Sequence, residues 1–321
     1  MIQEKLLDLL SQILAQRHFL PLGSPYQVSQ PPQIWTRDHK DPATIPAREA
    51  EIALALHTLG SFDFTGHVLN EFVRDVAIRY VEADNPEIRK RAALTCCQLF
   101  VKDPIVHQTS THATKVVGDI IEKLLTVGVG DVDWEIRWEV LLALDARFDR
   151  HLGKADNVRT LFLALNDEIF VIRQAAMSII GRLTAVNPAY VFPSLRKVLL
   201  QLLTEVNYAN SPRSKEESAK LISSLVGAAD SLIKPLVDPI VTVLLPKAKD
   251  PNPEVASTTL KAIGDLASVG GEGMIKYIPE LMPVILDFMQ DLSSDSKRFS
   301  ALKALGQLAT NAGYVLSLIH I

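Results

Sequence analysis

A stretch of nine residues occurs twice in the last quarter of the chain in closely related form. TLKAIGDLA at Thr259–Ala267 returns 42 residues later as ALKALGQLA at Ala301–Ala309. A single amphipathic helix pair cannot cover its own apolar face, whereas similar pairs that stack on one another cover it jointly. The duplication therefore predicts an array of similar helix pairs and not one globular core.

The repeated unit extends beyond these nine residues. A helix is followed by a short polar turn, then by an aliphatic–basic pair and a second helix rich in Ala and Leu. The basic residue is Arg89, Arg137 or Arg173 in three of the units, and we expect these arginines to pair with a turn aspartate of a neighbouring unit. The turn regions are Ala83–Ala93, Gly130–Val140, Asn166–Ala176, Ser211–Leu221, Lys249–Thr259 and Ser293–Lys303.

Helical periodicity runs through most of the chain, whereas alternating strand patterns between tight turns are scarce. The predicted fold class is all-α, an α-solenoid of helix pairs in an armadillo-like superhelix. In the second copy Leu302, Leu305 and Leu308 recur on one helical face, and we expect them in the core. Gly264 and Gly306 lie inside helices, where Gly costs about 1 kcal/mol relative to Ala. We therefore expect a close helix contact at both glycines.

The unit resembles the HEAT repeat, in which an Asp in the turn precedes an aliphatic–Arg pair and an Ala follows four residues after the aliphatic residue. Val140 replaces that Ala in the second unit, and Ala256 replaces the Arg in the unit near Asp250. Such degeneracy is usual in HEAT repeats, so the pattern indicates the fold and not the function. Two units match throughout, with Asp84, Ile88, Arg89 and Ala92 in one and Asp167, Ile172, Arg173 and Ala176 in the other.

Composition limits the classes of function. The 321 residues are 48% hydrophobic and carry a formal net charge of −4, so no basic excess is present to bind nucleic acid. The only cysteines, Cys96 and Cys97, are adjacent and cannot form a disulfide framework, which favours a reducing compartment. No apolar run approaches the ~20 residues that a membrane helix needs, and the first residues lack a secretory signal. We expect a cytoplasmic protein without direct membrane insertion.

The first part of the chain departs from the repeat pattern. Six of the 18 prolines fall within Pro21–Pro46, which predicts a long extended loop there. Two interpretations stay open for this loop, a partner contact through Trp35 and Tyr26 or, as we prefer, a loop that lies along the solenoid with Trp35 in a groove. The predicted organisation is a helix at 1–20, a proline-rich loop at 21–46, about six HEAT-type repeats at 47–315 and an atypical tail at 316–321.

One motif resembles part of a catalytic site. Asp149, Arg150 and His151 reproduce a triplet from the catalytic loop of kinases related to phosphatidylinositol 3-kinase. Lys154 stands where those kinases have an Asn that helps to hold Mg²⁺, and no Asp-Phe-Gly or Gly-rich phosphate loop accompanies the triplet. We interpret the three residues as polar positions in a connection between helices.

Other chemically active residue types lack the spacing of a site. His107 and His112 have no Cys or carboxylate at zinc spacing and are expected on a loop. Cys96 and Cys97 lie in an apolar helix and are most simply core filling. The glycine-rich stretches Gly128–Asp131 and Gly270–Gly273 indicate turns between helices and not phosphate loops. The sequence therefore predicts no catalytic, cofactor-binding or metal-binding residue.

Longer stretches carry a more specific resemblance. LNDEIFVIR, GRL, NPAYV and FPSLRK follow one another within Leu161–Val206, and GQLA with GYV lies at 306–315. Together with Leu56–Tyr80, these segments are similar to the amino-terminal HEAT region of the target of rapamycin (TOR) protein kinases. The resemblance covers most of Leu56–Val315.

The resemblance implies a very large Ser/Thr protein kinase that uses ATP and Mg²⁺ and acts in nutrient and growth signalling. Its helical solenoid would precede a distant kinase domain and hold Raptor-type or Rictor-type subunits. None of the family's catalytic residues maps onto this chain, so the segment itself is expected to be a scaffold without cofactors. The resemblance also implies recruitment to endomembrane or lysosome surfaces through partners, and leaves open whether the parent kinase is dimeric.

The alternative function is a free-standing HEAT adaptor of the transport-receptor or phosphatase-scaffold type, which would bind peptides in a concave groove. Transport receptors tend to be strongly acidic, and a net charge of −4 over 321 residues is mild. The sequence after Gly-Tyr-Val, Leu316–Ile321, departs from the TOR pattern of a Pro-Tyr turn and another helix, and its apolar residues make a poor cap for a solenoid, which we expect of a fragment. We therefore favour a fragment of a TOR-type kinase.

Overall fold

The computed structural model describes residues 2–19, 32–38, 40–64, 69–101 and 111–316. Within these ranges the regular secondary structure is helical throughout, in 16 α-helices with short 3₁₀ turns and no strand. The predicted all-α fold is confirmed. The chain divides into two compact units, residues 1–164 and residues 165–321.

The first unit is built from helix pairs stacked in chain order. The second helices of the pairs, α2, α4 and α6, pack on one another in that order. The first helices of the pairs, α3, α5 and α8, pack on one another in a second row. A 3₁₀ turn at Ala77–Glu82 lies between α3 and α4 and supplies Tyr80, one of the largest fully buried side chains. The helices are α1 (Ile2–Ala15), α2 (Ile45–Ser61), α3 (Asn70–Asp75), α4 (Pro86–Val101), α5 (Thr111–Gly130), α6 (Trp134–Ala143), α7 (Asp149–Leu152) and α8 (Ala155–Ala164).

The second unit repeats the same scheme with longer helices. Its second helices α9, α11, α14 and α16 pack one on the next, while α10 and α13 pack together in the other layer. Each helix thus contacts its neighbours in the array, as expected of stacked repeats. The helices are α9 (Phe170–Leu183), α10 (Pro188–Tyr208), α11 (Pro212–Ala228), α12 (Asp230–Ile233), α13 (Val237–Leu244), α14 (Pro253–Gly270), α15 (Ile278–Gln290) and α16 (Asp295–Leu316).

Local sequence explains where the second helices begin. The Asn252 side chain accepts hydrogen bonds from the N–H groups of Glu254 and Val255, and Pro253 occupies the first position of α14, where its missing N–H costs little. Asp133 caps α6 in the same way by accepting from the N–H of Glu135. The polar turn between paired helices therefore also fixes the start of the second helix.

Candidate interaction surfaces

The repeat arginines connect each turn to the next unit. The Arg89 guanidinium donates to the Asp131 carboxylate at 2.9 and 3.1 Å and to the Ala83 carbonyl at 3.0 Å. Arg173 makes the equivalent contacts to the Asp167 carbonyl at 2.7 Å and to the Glu217 carboxylate at 2.5 Å. The predicted pairing with a neighbouring turn aspartate is confirmed at Arg89, and at Arg173 the neighbouring acid is a glutamate.

These ion pairs hold the array together and are not open to a ligand. The side chains of Arg89 and Asp131 are only 17% and 5% exposed. The hydrogen bonds with Asp131 raise the pKa of Arg89, so the guanidinium stays charged. A partly buried pair of this kind is screened less by salt than a surface pair and fixes the register of the two turns.

The Asp-Arg-His triplet lies in the short helix α7, between the longer helices α6 and α8. The His151 ring meets the Phe100 ring edge-on with 5.7 Å between centroids, and Phe100 stacks on Phe148 at 4.9 Å. Burial lowers the pKa of His151, with smaller contributions from Lys154 and Arg150. The triplet therefore occupies a helix connection that packs on the core, as interpreted from the sequence.

The cysteines and histidines have separate surroundings. Cys96 and Cys97 are buried in α4, which confirms core filling, and burial raises the pKa of Cys97 to about 12. His107 lies outside the described residues, and His112 lies in the first turn of helix α5 instead of on a loop. Within the part of the chain that the structure describes, no three His, Cys, Asp or Glu side chains are grouped to hold a metal ion.

The two glycine-rich stretches differ from each other. Gly128 belongs to α5, where an added Cβ would lie 3.2 Å from the Val140 side chain of α6. The prediction of a turn is therefore wrong at Gly128, because the residue serves a close helix contact. Gly271 has φ of +53° at the carboxyl end of α14, a conformation that favours glycine, and marks a real turn.

Residues 32–38 lie against the helices of their own unit, the first. The Gln33 N–H donates to the Ala15 carbonyl at 3.2 Å, and the Trp35 N–H donates to the Tyr80 hydroxyl at 3.4 Å. Arg37 pairs with the buried Glu49 at 2.5 Å, and this hydrogen bond lowers the pKa of Glu49. Trp35 is half-buried beside a cavity of about 350 Å³. This placement agrees with the preferred interpretation, a loop with Trp35 in a groove, while Tyr26 lies outside the described residues.

The duplicated nonapeptide has two different environments. In α14, Leu260 is fully buried, and a Cβ added at Gly264 would lie 2.8 Å from the Ala304 Cα atom of α16. In α16, Leu302 is 57% exposed, and a Cβ added at Gly306 would meet nothing within 4 Å. The close contact predicted at Gly264 is confirmed, and the one predicted at Gly306 is wrong.

The reason is the position of α16 in the array. The face of α14 that carries Leu260 and Gly264 is covered by α16, whereas no described helix covers the equivalent face of α16. Of the three predicted core residues in α16, Leu308 is buried, Leu305 is partly exposed and Leu302 is exposed. The exposed face, which we call the open face of α16, consists of Phe299, Leu302, Gly306 and Ala309.

A second exposed apolar row lies on α6, at positions that the repeat pattern does not mark. Trp134 is 41% exposed and Leu142 is 54% exposed, with Trp138 between them. The signal that could have found this row is the spacing of the two tryptophans, four residues apart on one helical face. Both apolar rows are candidate contact surfaces, since soluble proteins seldom leave contiguous apolar surface uncovered.

The structure contains no described helix that is long and apolar enough to cross a membrane.

Residues 212–266, which include α11 and most of α14, match the family model of the HEAT-like repeat. The fold is also that of a solved structure of importin beta, with a TM-score of 0.58 over 85% of this chain and 34% of that chain. That pair is only 16% identical, so the likeness shows a HEAT/armadillo-type solenoid fold and no more.

Curated relatives are much closer in sequence. The chain is 46% identical over 98% of its length to "Serine/threonine-protein kinase tor1" of Schizosaccharomyces pombe, and 51% identical over 77% of its length to "Serine/threonine-protein kinase TOR2" of Saccharomyces cerevisiae. It spans only 13% and 10% of the lengths of these two proteins. The chain therefore belongs to the TOR family of serine/threonine protein kinases, in which it corresponds to a HEAT-repeat segment.

Proposed function

We propose that this chain is the scaffold segment of a TOR-type kinase that assembles protein subunits and carries no catalysis of its own. The observation that supports this most is the 46% identity over 98% of the chain to a kinase of which the chain spans only 13%. The chain is a small part of a large enzyme and folds as stacked helix pairs. The role of such a part would be to position other parts of the enzyme and other proteins.

The open face of α16 supports a segment within a longer array. The equivalent face of α14 is covered by the next second helix, with Leu260 fully buried. In the parent kinase a further helix pair would cover Leu302 and Phe299 in the same manner. ATP and Mg²⁺ would bind in the kinase domain of the parent and not in this segment.

The proposed partners are Raptor-type or Rictor-type subunits, and the proposed setting is nutrient and growth signalling in the cytoplasm. Recruitment to endomembrane or lysosome surfaces would occur through these partners. No nucleic-acid partner is proposed, because the net charge of −4 offers no surplus of cations for a phosphate backbone.

Affinity-tagged full-length kinase and a version that lacks residues 1–321 test the assembly role. Both are purified from cells and compared for kinase activity on a small peptide and for co-purifying subunits. We expect the deletion to keep measurable peptide phosphorylation and to lose at least one subunit. Unchanged subunit content after the deletion would contradict a role in assembly.

The purified chain alone tests the claim that this segment is not catalytic. We expect no ATP turnover above the blank, and no difference between the wild type and Asp149→Ala. Turnover that depends on Asp149 would show that the triplet in α7 has a catalytic function after all.

The second candidate function is a free-standing HEAT adaptor. The fold likeness to importin beta is compatible with it, but at 16% identity it concerns the fold only. The length of the native transcript separates the two functions, because an adaptor has capped ends whereas a TOR kinase continues through many further repeats.

A further inference from the structure

A polar groove in the first unit is covered by a segment of the same chain. The segment is residues 32–38, which we call the strap, and residues 32–36 form neither helix nor strand. A cavity of about 350 Å³ remains between the strap and the wall beneath it. The strap therefore covers this space, which we call the strap groove, without filling it. The wall of the groove includes Glu49, Arg79, Tyr80, Glu82, Asp84 and Asn85.

The backbone contacts of the strap are long. The Gln33 N–H donates to the Ala15 carbonyl at 3.2 Å, and the Trp35 N–H donates to the Tyr80 hydroxyl at 3.4 Å. Both distances exceed the ~2.9 Å that is usual for an N–H···O hydrogen bond. The Trp35 side chain is half-buried, so part of its ring stays in solvent. These contacts hold the strap weakly in its groove.

Glu49 decides what any occupant of the groove has to carry. This residue is 7% exposed, and its carboxylate accepts from Arg37 at 2.5 Å and from the Asn85 amide at 2.7 Å. A buried carboxylate that loses its cation is strongly unfavourable. A segment that replaces the strap therefore has to bring a cation to Glu49.

The source of this cation differs from that in the repeat arginines. Arg89 of α4 is itself the cation, and it reaches the acid of the next turn, Asp131, from its own second helix. Glu49 of α2 also reaches the next turn, at Asn85, but with the opposite charge. Its cation, Arg37, comes from a separate segment of the chain. That segment can exchange with another one without any change in the packing of the helices.

The charge of the wall also favours a cationic occupant. The wall carries the carboxylates of Glu49, Glu82 and Asp84 and one guanidinium, that of Arg79. Glu82 pairs with Lys123 of α5, whereas Asp84 attracts the guanidinium of the strap. An acidic segment would be repelled here, and a segment with arginine would be attracted.

We propose that the strap groove binds an extended segment of a partner protein that carries an arginine two residues after a bulky aromatic side chain, and that the strap is its displaceable occupant. The arginine would take the place of Arg37 at Glu49. The aromatic side chain would take the place of Trp35 and fill more of the cavity. This inference rests on the proposed scaffold function and names a surface and a partner chemistry for it.

A peptide added to the purified chain tests the site. The probe is a fluorescein-labelled peptide with the sequence of residues 30–40, QPPQIWTRDHK. The host is the variant Trp35→Ala/Arg37→Gln, which lacks the two side chains that the peptide brings. We expect the peptide to bind this variant at least about tenfold more tightly than the wild type, because the intact strap competes at high effective concentration. Fluorescence anisotropy measures both affinities.

Peptide variants show which side chain matters. Arg37→Gln in the peptide should weaken binding at least about tenfold, because Glu49 then stays buried without a cation. Lys40→Gln is the matched control, since it removes a cation outside the strap, and it should change the affinity by no more than about twofold. Equal losses from the two peptides would indicate general charge attraction and would contradict a site at Glu49.

Hydrogen exchange in the wild-type chain gives a measurement that does not depend on the folding of a variant. An excess of the peptide should speed the exchange of the Gln33 and Trp35 amides, because it displaces the strap, and should leave the amides of α2 protected. Exchange that the peptide leaves unchanged at both strap amides would contradict displacement. Circular dichroism checks that Trp35→Ala/Arg37→Gln keeps its helix content.

The full-length kinase, purified with its subunits, tests whether a partner uses the groove. We expect an excess of the strap peptide to release one subunit and the Arg37→Gln peptide to release none. If the peptide binds but releases no subunit, or if two copies of the chain exchange straps and form dimers instead, the partner proposal is wrong and the scaffold function stands. If no subunit co-purifies with the kinase at all, both are wrong.

Discussion

Helices α14 and α16 carry nearly the same nine residues and have different neighbours. Leu260 of α14 is fully buried beneath α16, while Leu302 at the equivalent position of α16 is 57% exposed. Gly264 allows α16 to approach closely, whereas Gly306 has open space beside it. The comparison teaches that in a repeat array the sequence of a helix specifies which face is apolar, and the next helix decides whether that face is buried.

The largest expected effect is on the leucines. Leu260→Ala leaves a cavity between α14 and α16 and should lower the free energy of unfolding by about 2–5 kcal/mol. Leu302→Ala removes an exposed side chain and should change it by no more than about 0.5 kcal/mol. Urea unfolding of the purified chain, followed by circular dichroism, measures both. Equal losses in the two variants would contradict the difference in burial.

The glycines should respond with opposite signs. A Cβ at position 264 would lie 2.5 Å from the Gln307 Oε1 atom and 2.8 Å from the Ala304 Cα atom, so Gly264→Ala should destabilise the chain by about 1–3 kcal/mol. At position 306 nothing lies within 4 Å, so Gly306→Ala should stabilise it by about 0.5–1 kcal/mol through helix propensity. The same unfolding experiment applies, and a stabilising Gly264→Ala would show that the two helices are not in close contact.

A third test concerns the polar contacts between the same helices. The Asp265 carboxylate accepts from the Gln307 amide at 2.7 Å and pairs with the Lys303 ammonium at 3.1 Å, and both donors belong to α16. Asp265→Ala leaves these donors without their acceptor and should cost about 1–2 kcal/mol. Gln307→Leu should cost less, because the buried Gln307 Oε1 atom has no hydrogen-bond partner among the described residues and its loss removes an unfavourable burial. A larger loss from Gln307→Leu than from Asp265→Ala would reverse this assignment.

The sequence predicted the helix pairs, the turns between them and the ion pair of Arg89 because those features are local or recur at the repeat spacing. It placed Leu302 in the core and Gly306 in a close contact wrongly, since periodicity identifies an apolar face but carries no information on the presence of a neighbour. Trp138 was missed because the repeat pattern does not mark its position. At the equivalent positions Lys90 pairs with Glu139 of α6 and Gln174 donates to the Ser224 hydroxyl of α11, so this position faces the next second helix.

The smallest expected effect is a pH dependence at the turn before α16. In the turn before α14, Asp250 pairs at 3.2 Å with Lys215 of α11, the preceding second helix. In the turn before α16, Asp291 pairs at 2.8 Å with Lys297 of α16 itself. The hydrogen bond from Lys297 lowers the pKa of Asp291 most, with further lowering by Ser293. Because the folded-state pKa is depressed, this contribution to stability is present above the ordinary aspartate value of about 3.9 and is lost as the pH falls below it.

Unfolding midpoints in urea between pH 6 and pH 3 measure this contribution. Asp291→Asn should lower the midpoint slightly at pH 6 and flatten its decline towards pH 3, because the amide has no proton to take up. Lys297→Met should flatten the decline in part, since it removes the largest cause of the lowered pKa of Asp291 while the hydrogen bonds from Ser293 remain. Lys215→Met, which removes the partner of Asp250 at the other turn, is the matched comparison for the effect of losing a cation between units. Parallel curves of unfolding midpoint against pH for the wild type and Asp291→Asn would contradict this prediction. The pair of Asp291 with Lys297 would then not stabilise the turn before α16, and that turn would respond to acid no differently from the turn before α14.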